Sequence, residues 1–475
     1  MKLSRRTALT LLPCLLALPG LAAAAEIDGA TLSVLWGVPF AGTLLSIALM
    51  PLLAPMFWHH HFGKITAAWS LAFLLPFAAM FGVGMAGIHL VHALVAEYLP
   101  FVILLTALYT VAGGIYIRGN LRGTPALNTG ILALGAVLAS FMGTTGASML
   151  LIRPLIRAND NRKHVAHVVV FFIFIVSNAG GSLTPLGDPP LFLGFLKGVE
   201  FTWTLRHLLP ETAFLVGALL VIFYLLDSWY ARKHGEINSI DPTPVDSTPA
   251  RLGFDGKFNF LLLGCVVALV LLSGLWQSEV VFDIAGTPVG LPGLVRDMGL
   301  LVVTLVSLCT TPRAVHENNQ FGWGPMQEVA KLFAGIFLTI IPVIAMLKAG
   351  VDGPFGAIVR AVTNPDGTPN PAMYFWATGA LSSFLDNAPT YLVFFNTAGG
   401  DAQVLMTSLA STLAAVSAGA VFMGANTYIG NAPNLMVKAI AEDRGVRMPS
   451  FFGYMAWSVG ILVPLLVLIT WIFFM

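Results

Sequence analysis

The feature that most constrains the fold is a motif that the chain contains twice. Residues 181–192, GSLTPLGDPPLF, return at 424–435 as GANTYIGNAPNL, and a gapless overlay matches Gly181 with Gly424, Thr184 with Thr427, Gly187 with Gly430 and Pro190 with Pro433. Asp188 falls on Asn431 and Leu186 on Ile429. The same register, carried back, lays LASFMGTTGAS (138–148) over LSSFLDNAPTY (381–391), so that Ser140 meets Ser383 and Phe141 meets Phe384. Two separated motifs on one offset require an architecture that is built twice.

Both copies put Gly, Pro, Thr and Asn into apolar surroundings, where a helix breaks and frees backbone polar groups. In lipid that is tolerated only inside protein or beside a water-filled cavity. The surroundings call for a bilayer: the chain is 57% hydrophobic and 10% charged, against about 25% charged in soluble domains. Its apolar windows recur at about twenty residues, the length that crosses a membrane. Spans are predicted at 31–56, 65–90, 99–117, 164–199 and 204–229, then at 258–276, 295–312, 326–348, 402–442 and 449–474. Residues 124–157 and 370–400, with turns at Gly143-Thr144-Thr145-Gly146 and Asp386-Asn387-Ala388-Pro389, read as hairpins that enter and return.

The expected fold class is an all-α polytopic membrane protein of two inverted-topology repeats. Each repeat has about five transmembrane helices, a re-entrant hairpin and a broken helix, and an odd number of crossings reverses the second copy. The first repeat is placed at 26–229 (hairpin 124–157, broken helix 164–199) and the second at 258–475 (hairpin 370–400, broken helix 402–442). The polar stretch 230–257 reads as a flexible cytoplasmic linker. Residues 1–25 have the basic start, apolar run and Ala23-Ala24-Ala25 exit of a cleaved signal peptide. Loop charge gives the same orientation, since cytoplasmic loops collect Lys and Arg: the cytoplasmic segments hold Lys64, Arg118, Arg157, Arg162, Lys163, Arg232, Arg313, Arg444 and Arg447. The outer loops near 91–98, 277–294 and 399–403 hold none. His59, His60 and His61 are expected in a short cytoplasmic loop, and His89, His92 and Glu97 in an outer interfacial cluster.

Helix ends inside a membrane offer N–H groups and partial positive charge at one terminus and carbonyls at the other, so side chains decide what binds. The first half supplies Thr144, Thr145, Ser148, Asn178, Thr184 and Asp188, and the second Asp386, Asn387, Thr390, Asn426, Thr427 and Asn431. These are oxygen ligands, which hard cations prefer. Asp188 and Asp386 are the carboxylates in the broken stretches, and a charge at that depth costs about 2.5–3.5 kcal/mol on insertion scales, so such residues are usually functional. Each is expected to hold a cation or a proton, with Asn178, Thr184, Asn387, Asn426, Thr427 and Asn431 as partners and Thr144, Thr145, Ser148 and Thr390 forming the tips. The competing roles are helix capping for the aspartates and bonds to neighbouring carbonyls for the hydroxyls.

The motif Asn178-Ala179-Gly180-Gly181-Ser182-Leu183-Thr184-Pro185-Leu186-Gly187-Asp188 resembles the broken-helix motif of NhaD-type sodium/proton antiporters. The tip Leu385-Asp386-Asn387-Ala388-Pro389-Thr390 and the segment 331–337 are also similar to those of antiporters and citrate transporters. The chain as a whole resembles the ion transporter superfamily, which also holds dicarboxylate carriers and arsenite permeases. The resemblance implies a scaffold and a transport domain, an elevator-like movement, a homodimer formed through the scaffold, and Asn178, Thr184, Asp188, Asp386 and Asn387 as ion-site residues. The chain departs from the antiporters at Gly143–Gly146, where they carry an acidic residue, and it lacks the Ser-Asn-Thr tips of dicarboxylate carriers.

The expected function is secondary active transport in the bacterial inner membrane. Sodium/proton antiport is the first reading, and sodium- or proton-coupled citrate or dicarboxylate transport is the alternative. Sodium and protons are expected as transported or coupling ions, without a cofactor. The expected partners are the lipid bilayer and a small inorganic cation or carboxylate, and there is no basic, aromatic-laced patch for nucleic acid. No nucleophile–base set, metal motif or cofactor loop points to an enzyme.

Overall fold

The computed structural model describes residues 27–119, 121–234 and 253–475. The expected signal peptide therefore lies outside the described residues, as does most of the expected linker. Among the described residues nine helices are long and apolar enough to cross a membrane, ten if the bent pair Gly324–Thr339 and Ile341–Lys348 is one span. The protein is an all-α polytopic membrane protein whose strands, among the described residues, amount to two short antiparallel pairs.

One set of helices forms an outer body: α1 (Val38–Leu53), α2 (Pro55–Phe81), α3 (Val83–His92) and α4 (Leu99–Gly113), with α3 and α4 joined through a π-turn at Ala93–Tyr98. Strand β1 (Tyr116–Arg118) follows. The next group is α5 (Pro125–Met142), α6 (Thr144–Ala158), α7 (Ala166–Ile175), α8 (Pro189–Leu196) and α9 (Trp203–Lys233). The second half begins with β2 (Gly253–Asp255), α10 (Phe258–Leu275), β3 (Val281–Ile284), β4 (Thr287–Gly290), α11 (Leu291–Thr310), α12 (Gly324–Thr339) and α13 (Ile341–Lys348). It ends with α14 (Pro371–Phe384), α15 (Asn387–Thr397), α16 (Ala410–Met423), α17 (Ala432–Asp443), α18 (Phe451–Trp457) and α19 (Val463–Phe473).

Helices α1, α2, α4, α10, α11 and α12 pack on one another, and α5–α9 pack with α14–α19. The second group carries the interrupted segments. Its centre is apolar on every side, as a helix enclosed by others must be: Val168 through Val176 are fully buried. This enclosure keeps the freed backbone groups of the breaks away from lipid.

Three expectations change. The turn between the second and third spans falls at Gly82 (φ 90°), not at 91–98, which is helical. Gly82 is the point in that apolar run where a residue without Cβ lets the chain reverse, and His89, His92 and Glu97 consequently sit on helical turns. His59, His60 and His61 lie in the first turns of α2, because the preceding break at Ala54 is followed by Pro55 at the first helical position. The ends of the expected linker belong to structure: Tyr230–Lys233 finish α9, and Gly253–Asp255 pair antiparallel with Tyr116–Arg118, with Arg118 Nε 3.2 Å from Asp255 Oδ1.

Candidate functional site

Each hairpin is started by a cap and Pro. Thr124 accepts from Leu127 N at 3.2 Å ahead of Pro125, and Asn370 accepts from Met373 N at 3.1 Å ahead of Pro371. The two tips turn differently. Gly143 adopts φ 78°, ψ 151°, which suits only glycine, whereas the residue in the same register, Asp386, has φ −56° and caps α15 by accepting from Ala388 N at 3.1 Å.

The breaks are stitched to the hairpins by matching bonds. Thr184 Oγ1 donates to the Ser140 carbonyl, and its counterpart Thr427 Oγ1 donates to the Ser383 carbonyl at 2.5 Å. The same two hydroxyls accept from Leu186 N and Ile429 N, each at 3.2 Å. Ser140 Oγ donates to the Gly180 carbonyl at 2.6 Å, and Ser383 Oγ to the Met423 carbonyl at 3.1 Å. Thr184 and Thr427 thus hold each break against its hairpin with both donor and acceptor engaged. Gly187 and Gly430 allow the close crossing, since a Cβ on either would overlap the carbonyl of Gly181 or Gly424.

The halves then interlock crosswise: α6 packs on α17 and α15 on α8. At the crossing lies Asp188, 1% exposed, at the start of α8 but making no capping bond there. Its Oδ1 accepts from Thr144 Oγ1 at 2.9 Å and Asn431 Nδ2 at 3.2 Å, and its Oδ2 accepts from Asn387 Nδ2 at 2.5 Å. Thr144 and Asn387 occupy equivalent tip positions, and Asp188 and Asn431 equivalent break positions, so four residues from two symmetry-matched pairs meet at one carboxylate. Asn431 also donates to the Ser177 carbonyl at 3.2 Å and to Asn178 Oδ1 at 3.3 Å. Asn178 donates to Asn434 Oδ1 at 2.8 Å, and Asn434 ties back to the carbonyls of Gly424 and Thr427, each at 2.9 Å.

One oxygen in this ring is left over. Asn387 Oδ1 is buried without a hydrogen-bond partner among the described residues, and a buried group of this kind calls for an explanation such as a bound water or ion. Asp188, which accepts from the Asn387 amide, lines a cavity of about 110 Å³ together with Thr144, Thr145, Asp386 and Asn431 on one side and Leu104, Tyr109, Met326 and Phe333 on the other. No Lys, Arg or His is among its lining residues. Since about 10–15 Å³ of such space holds a water, it has room for water or a small ion, and it is smaller than the about 300–1,000 Å³ usual for organic ligands.

Other expected site residues stand further off. Ser148 bonds Ser177 Oγ at 2.9 Å, Thr390 donates to the Asp386 carbonyl at 2.9 Å, and Asn426 donates to Ser383 Oγ at 2.9 Å with its own buried Oδ1 unpartnered. Of the apolar wall, Phe333 falls in the segment 331–337 singled out in the sequence, whereas Leu104, Tyr109 and Met326 were missed because apolar side chains in apolar helices gave no signal. Sequence reasoning also missed Thr212, whose hydroxyl meets Ser182 Oγ at 2.6 Å.

A family model described as "Putative citrate transport" matches residues 29–474. An uncharacterized transporter of Mycobacterium bovis and one of Mycobacterium tuberculosis are each 26% identical over 336 residues, covering 68% of this chain and 71% of the relative. A 46 kDa membrane protein of Mycobacterium leprae is 23% identical over 349 residues, covering 72% and 75%.

Proposed function

The chain belongs to this "Putative citrate transport" family, and from that premise we propose that it is a secondary active transporter of the bacterial inner membrane that exchanges sodium for protons at Asp188. The observation that carries the reading is a buried carboxylate that gathers Thr144, Asn387 and Asn431 from both halves beside an unpartnered amide oxygen. Eight helix ends converge there: α6, α8, α15 and α17 start at the site, and α5, α7, α14 and α16 stop near it. Their opposed half-charges offset one another. The two aspartates then decide the sign, and a net negative site without basic side chains favours a cation.

The ring has two working arrangements. As drawn, three donors face the carboxylate. Rotation of the Thr144 hydroxyl and a flip of the Asn387 amide present two oxygens instead, which join the Asp188 carboxylate as the oxygen ligands a hard cation prefers. A proton on Asp188 is accommodated in the same way, donated to the flipped Asn387 Oδ1. Proton and cation therefore compete for one carboxylate, and binding of one weakens binding of the other.

Under the topology given by loop charge, the cavity wall from α4 and α12 belongs to their cytoplasmic halves, which supports an inward-open form. Movement of the interlocked hairpins and broken helices against α4 and α12 would carry the site across. Inverted membrane vesicles from a strain without its own antiporters, acidified by respiration and followed with a fluorescent pH reporter, test this. Sodium restores the reporter if the reading holds, and silence toward sodium, lithium and potassium refutes it.

The family description supports a second reading, in which citrate or a related carboxylate is the cargo and the aspartates hold the coupling cation. Four helix N-termini at one cavity favour it, since such termini bind anions elsewhere. Labelled citrate uptake that requires sodium would establish it in place of antiport.

A further inference from the structure

A second cavity, about 610 Å³, lies at one end of the group formed by α5–α9 and α14–α19, where the α6–α7 connection, the end of α9 and the α17–α18 connection meet. Its wall holds Arg162, Lys163, Arg444 and Arg447, against the single acid Asp160. Part of this wall is locked. Asp227, fully buried on α9, accepts from Arg162 at 2.5 and 3.1 Å, from Asn128 at 3.0 Å and faces His167 Nε2 at 2.8 Å. Asn128 and Asn159 exchange bonds of 2.8 and 2.9 Å, and Asn159 also accepts from Arg162. The charge of Arg162 is thus balanced from behind by a rigid network.

Arg444 and Arg447 are not balanced in this way. Arg444 and Arg447 make no side-chain hydrogen bond or ion pair among the described residues. Of the acidic neighbours, Glu442 pairs with Lys438 at 2.7 Å, and Asp443 forms no ion pair with either arginine among the described residues. Arg153 is itself buried, with Nε and Nη1 unpartnered, and lies close enough to Arg444 to repel it. Aromatic rings close the cavity: Trp457, Tyr230, and His164 stacked on His234 at 4.0 Å.

We propose that this cavity binds the phosphate group of an anionic ligand, with Arg444 and Arg447 as its principal contacts and Lys163 in support. Guanidinium groups match phosphate oxygens in geometry and charge. A basic pocket between helices on the cytoplasmic side suits an inner-leaflet headgroup, and Trp457 and Tyr230 are side chains that settle at that depth. A soluble phosphate has the same chemistry, so experiment must separate the two sources. The site is independent of Asp188, and its failure would leave the transport reading untouched.

The test uses the full chain in nanodiscs of neutral phosphatidylcholine, followed by thermal unfolding and by native mass spectrometry. Phosphatidylglycerol and inorganic phosphate are added separately, to wild type, to Arg444→Gln/Arg447→Gln, and to Arg232→Gln/Lys233→Gln as a control that removes the same charge outside the cavity. Wild type and control are expected to bind and be stabilised, with the cavity variant weakened about tenfold or more. A response to the lipid alone identifies a headgroup, and a response to inorganic phosphate identifies a soluble source. Absence of both responses overturns the proposal, as does equal loss in the cavity variant and the control.

Discussion

Replacing Asp188 with Asn separates its charge from its shape. The carboxylate takes hydrogen bonds from Thr144, Asn387 and Asn431. In Asp188→Asn one oxygen becomes an amide that faces a donor, yet Asn387 can flip and offer the Oδ1 that has no other partner. The bonds weaken from the about 1.5–3 kcal/mol of charged pairs toward about 1 kcal/mol each, while the burden of a buried charge disappears. Stability should therefore stay within about 1 kcal/mol of wild type. Cation binding should not. At an effective dielectric of about 20, a unit charge about 2.5 Å away is worth on the order of 6 kcal/mol, part of which desolvation removes. A surviving half corresponds to a loss of affinity of about a hundredfold. The assay is the sodium concentration at half-maximal recovery of the vesicle pH reporter, paired with a melting curve of the purified variant. A stable Asp188→Asn protein with wild-type sodium response would refute the reasoning.

Further outcomes follow from the same contacts. Gly143→Ala forces a side chain into φ 78° and should cost about 1–3 kcal/mol, read as a lowered melting temperature. Gly187→Ala and Gly430→Ala should each lower stability by about 1–3 kcal/mol or more through overlap with the facing carbonyl, and by similar amounts because the crossings match. Asp227→Ala strands Arg162 and should cost about 3–5 kcal/mol, seen as a fall in yield and melting temperature, while Asp227→Asn costs less. Lys197 at the end of α8 bonds Glu97 in the π-turn between α3 and α4, so Lys197→Glu should alter the transport rate and Glu97→Lys in the same chain should restore it. A coupling of about 1 kcal/mol or less is expected from a double-mutant cycle.

Much of the central architecture was legible because it is written twice. The offset that aligns Thr184 with Thr427 also aligns their bonds to Ser140 and Ser383, and a carboxylate in a broken apolar segment is conspicuous at Asp188. What the pattern did not reveal was division of labour. Thr184 and Thr427 spend their hydroxyls on stitching, and Asp386 caps a helix while Asp188 does not. The turn at Gly82 was hidden because glycine inside an apolar run reads equally as a helix interior, and the polar His89, His92 and Glu97 drew the boundary toward themselves. The Arg162–Asp227–His167 network was illegible for another reason. Asp227 is 60 and 65 residues from His167 and Arg162 in sequence, on a helix whose adjacency to them only packing decides.

Proteoliposomes containing the purified protein as the sole transporter test the central claim most directly: radioactive sodium uptake driven by an outward proton gradient, with and without external citrate. The account predicts uptake that requires the gradient, is lost in Asp188→Asn and is indifferent to citrate. Sodium uptake that appears only when citrate is present, or that persists in Asp188→Asn, would contradict it.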